Sequence, residues 1–494
     1  MSSVTLARPT SAIPRHAWKW IPNHWLLLAT LLAALGVGAG TGLEPLQAMA
    51  GAAVVGLVVF IWMRPALGAY LLIGVTPLIV GVSRGVAVPL LRPNEVLVLL
   101  IGFALVTRRL AQLRAGRFPT LRLDRVEVSM LLLAIFSSVV PLTWMTLRQQ
   151  PITTDDLLYG LVLWKYLGLY VLVRMSVSTE AQIRRCLWIA VAAASVVAVL
   201  AILQSLQLFG VPRLLATYFV PFGYDGSMDA FAARGSSTLA LPAATADLMV
   251  YNLAIVSGLW MQSRRHRPLL ACAAGLLVVG ALSAGEFSSA IGLVVAVVCI
   301  AAVTNSAGLL KIFVPTGLIG SLVLQPVLAA RLSGFQSVSG LPTSWTGRLQ
   351  NLQAYFWPQL LSDWNFLLGV RPSARIPAPE QVSGYVWIES GYTWLLWGGG
   401  IPLLASFVFF VVATAKRGWD AARRNSGARS VAGIATFVAV IVTTVLMTFD
   451  PHLTYRGSAD LMFALIALTT AGLKRPGTSD DQINRDARAK EVRT

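Results

Sequence analysis

Residues 186–209 read Cys186-Leu-Trp-Ile-Ala-Val-Ala-Ala-Ala-Ser-Val-Val-Ala-Val-Leu-Ala-Ile-Leu-Gln-Ser-Leu-Gln-Leu-Phe209. No charged side chain interrupts this stretch. As a helix rising about 1.5 Å per residue it is long enough to cross the roughly 30 Å hydrocarbon core of a bilayer. Similar runs recur on both sides, at 24–42, 46–63, 65–82, 93–107, 126–145, 157–177, 240–261, 268–284, 287–304, 308–330, 386–414, 431–449 and 457–473. The reading is an all-α, polytopic integral membrane protein with about 14 transmembrane helices. Glycine and proline inside the runs are compatible with it, because neighbouring helices or water can satisfy the freed backbone groups.

Composition agrees. Of 494 residues, 56% are hydrophobic and 12% charged, and mean hydropathy is +0.70. Soluble chains carry about a quarter charged residues. The deficit excludes an ordinary soluble enzyme, a disordered chain and a nucleic-acid-binding domain. Residues 1–494 read as one membrane domain with tails at 1–23 and 474–494. Arg8, Arg15 and Lys19 precede the first apolar run with no clear small-residue cleavage site, so that run reads as a membrane helix, not a removable signal peptide. Cys186, Cys272 and Cys299 form no CxxC and no Cys/His cluster, so neither a metal site nor a disulfide is expected.

The formal net charge of +18 is a matter of topology. With both termini in the cytoplasm and alternating loops, 28 of the 39 Lys and Arg residues fall on the cytoplasmic side, as the positive-inside rule requires. The segment Arg108–Arg125 then anchors on anionic lipid. The outer side receives Arg84, Arg92, Arg148, Arg213, Arg234, Arg331, Arg348, Arg371, Arg375 and Arg456, with no lysine. Arginine keeps its charge when partly desolvated and grips phosphate with a planar fork. Equally, the chain uses few lysines anywhere. Lys165 lies within a span, where it snorkels, pairs with Glu95 or Glu127, or serves function.

Two outer loops are long, 210–240 and 331–385. Loops of this length are usually functional or disordered, and these are rich in aromatic residues and proline. The first contains Val211-Pro-Arg213 and Ala233-Arg234-Gly235-Ser-Ser-Thr-Leu-Ala-Leu-Pro242, then feeds a span containing Asp247. The second contains Gly347-Arg348-Leu-Gln-Asn-Leu-Gln-Ala-Tyr-Phe356-Trp-Pro, Leu367-Leu-Gly369-Val-Arg371 and Glu389-Ser-Gly391-Tyr392 leading to Gly398-Gly-Gly-Ile-Pro402. Leu349, Leu352, Phe356 and Leu360 recur at helical spacing, which predicts an amphipathic surface helix over 346–360.

These segments, in this order and topology, resemble the O-antigen ligase and O-antigen polymerase superfamily of membrane glycosyltransferases over roughly residues 210–405. The resemblance implies glycosyl transfer at the periplasmic face of a bacterial inner membrane. Donor and acceptor would be undecaprenyl-pyrophosphate-linked oligosaccharides. It places Arg234 and Arg348 on the pyrophosphate, with Arg213 and Arg371 as further binding candidates. Ligases of this family carry a histidine where Glu389 stands. That departure favours a polymerase of exopolysaccharide, capsule or O-antigen over a ligase acting on lipid A core or protein. Membrane lipids, a chain-length regulator and export proteins are the implied partners, and nucleic acid is not.

The residues support such chemistry by themselves. A lipid-linked pyrophosphate is a good leaving group whose growing charge fixed arginines can neutralise without a metal. No DxD-type carboxylate cluster stands outside, so no metal or other cofactor is expected. The acceptor hydroxyl needs a base within reach. Glu389 is the first candidate, with Asp247, Glu286, Asp450 and His452 as alternatives. Each candidate has a plainer reading. Arg348 would pair with lipid phosphate or Asp363, Arg234 with Asp225 or Asp229, and Glu389 would favour a helix dipole. Arg92 and Glu95, three apart, would neutralise each other. Tyr392 and the tryptophans near it would form an interfacial belt or stack on sugars. A lipid-linked-sugar flippase is the rival from another class, but the internal repeat common in transporters is missing.

Overall fold

A computed structural model describes residues 45–85, 91–114, 123–219, 234–305, 310–325, 343–378 and 384–471, together with positions 36, 89 and 329. The expected span at 24–42 apart from position 36, both tails, and residues 220–233 and 331–342 of the long loops lie outside the described residues.

The described chain is mostly helical. In order, the helices are α1 (Pro45–Met63), α2 (Ala66–Gly74), α3 (Pro93–Arg114), α4 (Arg125–Phe136), α5 (Val139–Leu147), α6 (Thr154–Gly160), α7 (Val162–Ser176), α8 (Glu180–Ser205), α9 (Val211–Tyr218), α10 (Pro242–Gln262), α11 (Arg267–Ser283), α12 (Phe287–Thr304), α13 (Leu310–Val323), α14 (Thr343–Asn351), α15 (Trp357–Leu361), α16 (Asn365–Leu368), α17 (Gly391–Arg424), α18 (Ala428–Leu446) and α19 (Ser458–Thr470). Among the described residues, eight helical stretches are long and apolar enough to cross a membrane: α3, α4–α5, α6–α7, α8, α10, α12, α17 and α18. Shorter apolar helices lie at 49–63, 66–79, 267–283 and 458–470. The protein is therefore membrane-embedded. A small antiparallel sheet, β1 (Arg375–Pro377) with β2 (Tyr385–Trp387), departs from the all-helical expectation; Arg375 faces Trp387 and Pro377 faces Tyr385.

Helix α10 is the centre. Every residue from Ala243 to Leu259 is buried. It packs against α8, α11, α12 and α18, and so is covered on every side inside the bundle. The peripheral helices show the opposite pattern. On α3, Leu99, Phe103, Val106 and Leu110 form one exposed stripe at helical spacing, as a face covered by lipid would. Small residues let helices approach closely. A Cβ on Gly418 would meet the Phe437 backbone nitrogen at 2.8 Å, and one on Gly433 would meet that of Ala422 at 2.6 Å. That contact clamps α17 to α18.

Helix α17 is broken near its start. Gly400 adopts φ 65°, ψ −157°, and Pro402 follows. Proline lacks an N–H and the break removes further ladder bonds. The Trp397 carbonyl freed there accepts the backbone N–H of Val370 at 2.7 Å and of Arg371 at 3.3 Å. Gly369, at φ 90°, lies so close that a Cβ would meet the Gly399 nitrogen at 2.7 Å.

The helix expected over 346–360 forms in three pieces: α14, a π-helical turn at Leu352–Phe356, and α15. Leu352, Phe356 and Leu360 are buried as the spacing predicts, and Phe356 packs edge-on against Trp397. Leu349 is instead 46% exposed. The extra residue of the π-turn rotates the apolar stripe partway along, so Leu349 falls off the packed face.

Candidate functional site

Three close approaches bring distant acids and bases to one end of the bundle. First, Gly235 donates its N–H to the Ser283 carbonyl at 3.0 Å, and a Cβ there would collide with Ser283 Oγ at 2.8 Å. This seats the start of α10 on the end of α11 and puts Arg234 beside Glu286, which precedes α12, at 3.5 Å. Second, Gly391 donates to the Met447 carbonyl at 2.7 Å, and a Cβ would lie 2.8 Å from that oxygen. The start of α17 thereby meets the end of α18, and Glu389 comes to the Asp450 side of the bundle. Third, the Trp345 ring of α14 packs on Phe449 (5.1 Å between centroids) and Phe287 (6.4 Å). Both neighbours adjoin an acid in sequence, Asp450 and Glu286. Arg348, one turn beyond Trp345, is delivered to those acids.

The centre that results is built around Arg348. Its Nη1 donates to Asp450 Oδ2 at 2.7 Å, and its Nε lies 3.8 Å from Glu389 Oε1. Asn351, three residues on and on the same helix face, donates to Glu389 Oε2 at 3.4 Å. Burial raises the Glu389 pKa, and Arg348 only partly opposes it. Burial likewise raises that of Asp450, again against Arg348. For Arg348 burial works against the charge, but Asp450 and Glu389 outweigh it and hold the guanidinium more basic than usual. These are the responses expected of carboxylates taken partly out of water around one cation.

Behind this centre lies a buried pair. His452 Nδ1 and Asp247 Oδ2 are 2.7 Å apart, both side chains almost fully enclosed. Burial disfavours the imidazolium, yet Asp247 more than compensates and raises the His452 pKa. The His452 Nε2 atom is buried without a hydrogen-bond partner among the described residues.

The structure thus unites the expected residues Arg234, Arg348 and Glu389 with all four alternatives, Asp247, Glu286, Asp450 and His452. It also corrects several pairings. Arg348 pairs with Asp450, while Asp363 pairs with Arg148 at 3.5 Å. Arg234 pairs with Glu286; Asp225 and Asp229 lie outside the described residues. Glu95 binds Arg84 at 3.0 Å, not the Arg92 side chain. Lys165 pairs with Asp460 at 3.3 Å, not with Glu95 or Glu127, because α19 crosses α7 there.

Four candidates stand apart from the centre, Arg92 beside Glu95 among them. Arg371 makes a two-pronged pair with Asp156, Nε to Oδ1 at 2.9 Å and Nη2 to Oδ2 at 2.6 Å, which ties the segment after α16 to α6. Tyr392 donates its hydroxyl to the Thr444 carbonyl at 2.9 Å and so joins α17 to α18. Arg213 is exposed on α9, a helix packed on α8. Asn351 was missed in the sequence; its one available signal is the three-residue spacing from Arg348. Among the described residues no group of three or more His, Cys, Asp or Glu is placed to hold a metal ion. No known family model, curated protein or solved structure matches this chain.

Proposed function

We propose that the protein is a membrane glycosyltransferase that joins polyprenyl-diphosphate-linked oligosaccharide units at the outer face of the inner membrane. The observation that carries this reading is the Glu389–Arg348–Asp450 centre. A carboxylate of raised pKa and a fixed guanidinium stand together at a low-dielectric boundary. In the reaction, the acceptor hydroxyl oxygen bonds to the anomeric carbon and its proton passes to Glu389. The bond from that carbon to the diphosphate oxygen breaks, and the diphosphate leaves with the electron pair. Arg348 neutralises charge as it develops, and Asp450 and Asn351 hold Arg348 and Glu389 in place. Arg234, on Glu286, flanks the leaving group. General-base help of this kind contributes about 10²–10⁴-fold.

The test is a gene-deletion strain in which lipid-linked glycans and surface polymer are extracted and sized. Single repeats accumulating on the lipid, with polymer missing, support a polymerase. Long chains left on the lipid turn the assignment to a ligase, and repeats retained on the cytoplasmic side turn it to a flippase. Complementation with Arg348→Ala or Arg234→Ala that restores normal polymer, at normal protein levels, overturns the residue roles.

A further inference from the structure

The loop that ends the carboxylate centre continues directly into a cluster of opposite sign. Asp450 and His452 belong to the acidic side. Four residues past His452, Arg456 stands beside the segment leading to Arg84: a Cβ on its neighbour Gly457 would lie 3.2 Å from Val80 Cγ1, and Arg92 carries the charge of both Arg456 and Arg84 on it. Glu95 is the acid of this cluster, and both its oxygens are occupied. Oε1 accepts from Arg84 Nη2 at 3.0 Å, and Oε2 accepts the backbone N–H of Arg92 at 3.1 Å. The guanidinium groups of Arg92 and Arg456 are half-buried, and neither has a carboxylate partner among the described residues. Arg92 Nε is buried with no hydrogen-bond partner there. Lys165 and Asp460, close by on α7 and α19, pair with each other.

Like charges gathered in this way repel one another. Partial burial removes the water that would screen like charges, and each unmet donor adds a desolvation cost. Burial, then the neighbouring Arg456 and Arg84, push the Arg92 pKa down to about 9. Burial, and then Arg84, also lower that of Arg456. A multivalent anion offsets the repulsion between these arginines and gives their unmet donors an acceptor. Phosphate oxygens match the fork geometry of arginine. The Arg348 centre differs: there Glu389, Asp450 and Glu286 already meet Arg348 and Arg234.

We propose that Arg84, Arg92 and Arg456 form a binding site for a phosphate-bearing anion, separate from the carboxylate centre and joined to it by the segment 450–456. On the reading given above, which this deepens, the anion is the diphosphate of the acceptor lipid-linked sugar, distinct from the donor diphosphate that Arg348 and Arg234 face. Its sugar end then lies toward Glu389.

The test uses the full-length protein purified in neutral detergent, with inorganic pyrophosphate as the probe and the unfolding temperature as readout. Pyrophosphate is expected to raise the wild-type unfolding temperature in a saturable way. The concentration needed should rise at least tenfold in Arg92→Gln and Arg456→Gln, but not in Arg265→Gln, an exposed arginine that controls for charge alone. Without pyrophosphate, Arg456→Gln should melt at or above the wild-type temperature, since it removes an unmatched cation; this guards against a variant that merely misfolds. Arg456→Lys should retain part of the response. No shift in the wild type, or equal shifts in all variants, overturns the site. A parallel arm compares phosphatidylcholine nanodiscs with and without phosphatidylglycerol. Protection by phosphatidylglycerol alone, lost in Arg92→Gln, keeps the site and assigns it to a lipid headgroup. Because the readout is binding, it is independent of polymer formation. Pyrophosphate binding with normal polymer in the deletion strain would leave this site standing and remove the glycosyltransferase reading.

Discussion

Glu389 carries the sharpest expectation at the scale of single residues. Glu389→Gln keeps its size and its bond from Asn351 but cannot take a proton, so turnover should fall about 10²–10⁴-fold with protein level unchanged. Activity of the wild type should rise with pH through the raised pKa of Glu389, and a flat acid limb would argue against its role as base. The Asp247–His452 pair makes a different claim, on stability. Removing one partner of a buried pair costs about 3–5 kcal/mol, so Asp247→Ala should lower the unfolding temperature markedly. The pH dependence follows from the raised His452 pKa. Its stabilisation is full below about 6.5, the unperturbed value, and is lost as pH rises through the folded value. Glu389 and Asp450, also raised, act in the same direction over a window starting near 4. Melting temperature should therefore fall from mildly acid to alkaline pH, and Asp247→Asn should flatten its upper part. Residue identities at this site were legible in the sequence, because arginines beside glycine and acids at span ends are unusual choices. Their partners were not. Arg348 and Asp450 are 102 positions apart, and His452 and Asp247 are 205 apart; no local pattern encodes such a pairing.

At the scale of elements, the glycines of the motifs act through close approach. A Cβ on Gly391 would overlap Met447 Sδ at 2.5 Å as well as the Met447 carbonyl. Overpacking of this kind costs about 1–3 kcal/mol. Gly391→Ala should therefore lower the melting temperature and, by moving the start of α17, reduce activity even where the protein still inserts. Gly235→Ala should do the same from the Arg234 side. Gly347, with open space around it, should tolerate alanine; a large loss there would show that α14 needs its glycine for another reason. Apolar runs foretold most of the helices, since length and hydropathy suffice for that. The π-turn at 352–356 and the breaks after Phe136 and Gly160 were not legible. They depend on what each segment packs against.

For the whole molecule, the arrangement of charge gives two chemically different ends. Arg234 and Arg348 lie with their acids at one end, and Arg456 lies there without one among the described residues. At the other, Arg174 pairs with Glu127, Arg417 with Asp124 and Arg429 with Glu180. The sidedness drawn from the positive-inside rule makes this testable. In cysteine-labelled cells, a Cys placed at exposed position 213 should react with an impermeant thiol reagent, and one at exposed position 424 should react only after the membrane is opened. The reverse pattern would invert the topology and with it the location of the chemistry.

The capture of the Trp397 carbonyl by the N–H groups of Val370 and Arg371 has a mechanical consequence. Those bonds stitch the segment after α16 into the broken backbone of α17, and the Arg371–Asp156 pair fastens the same segment to α6. A flap sewn to two spanning elements cannot swing open like a door. On the proposed function, a lipid-tailed substrate would reach Glu389 sideways from the bilayer leaflet, between helices. The break at Gly400 is then a rivet, and on the proposed function loosening it with Gly400→Ala should reduce polymer yield without widening access to Glu389.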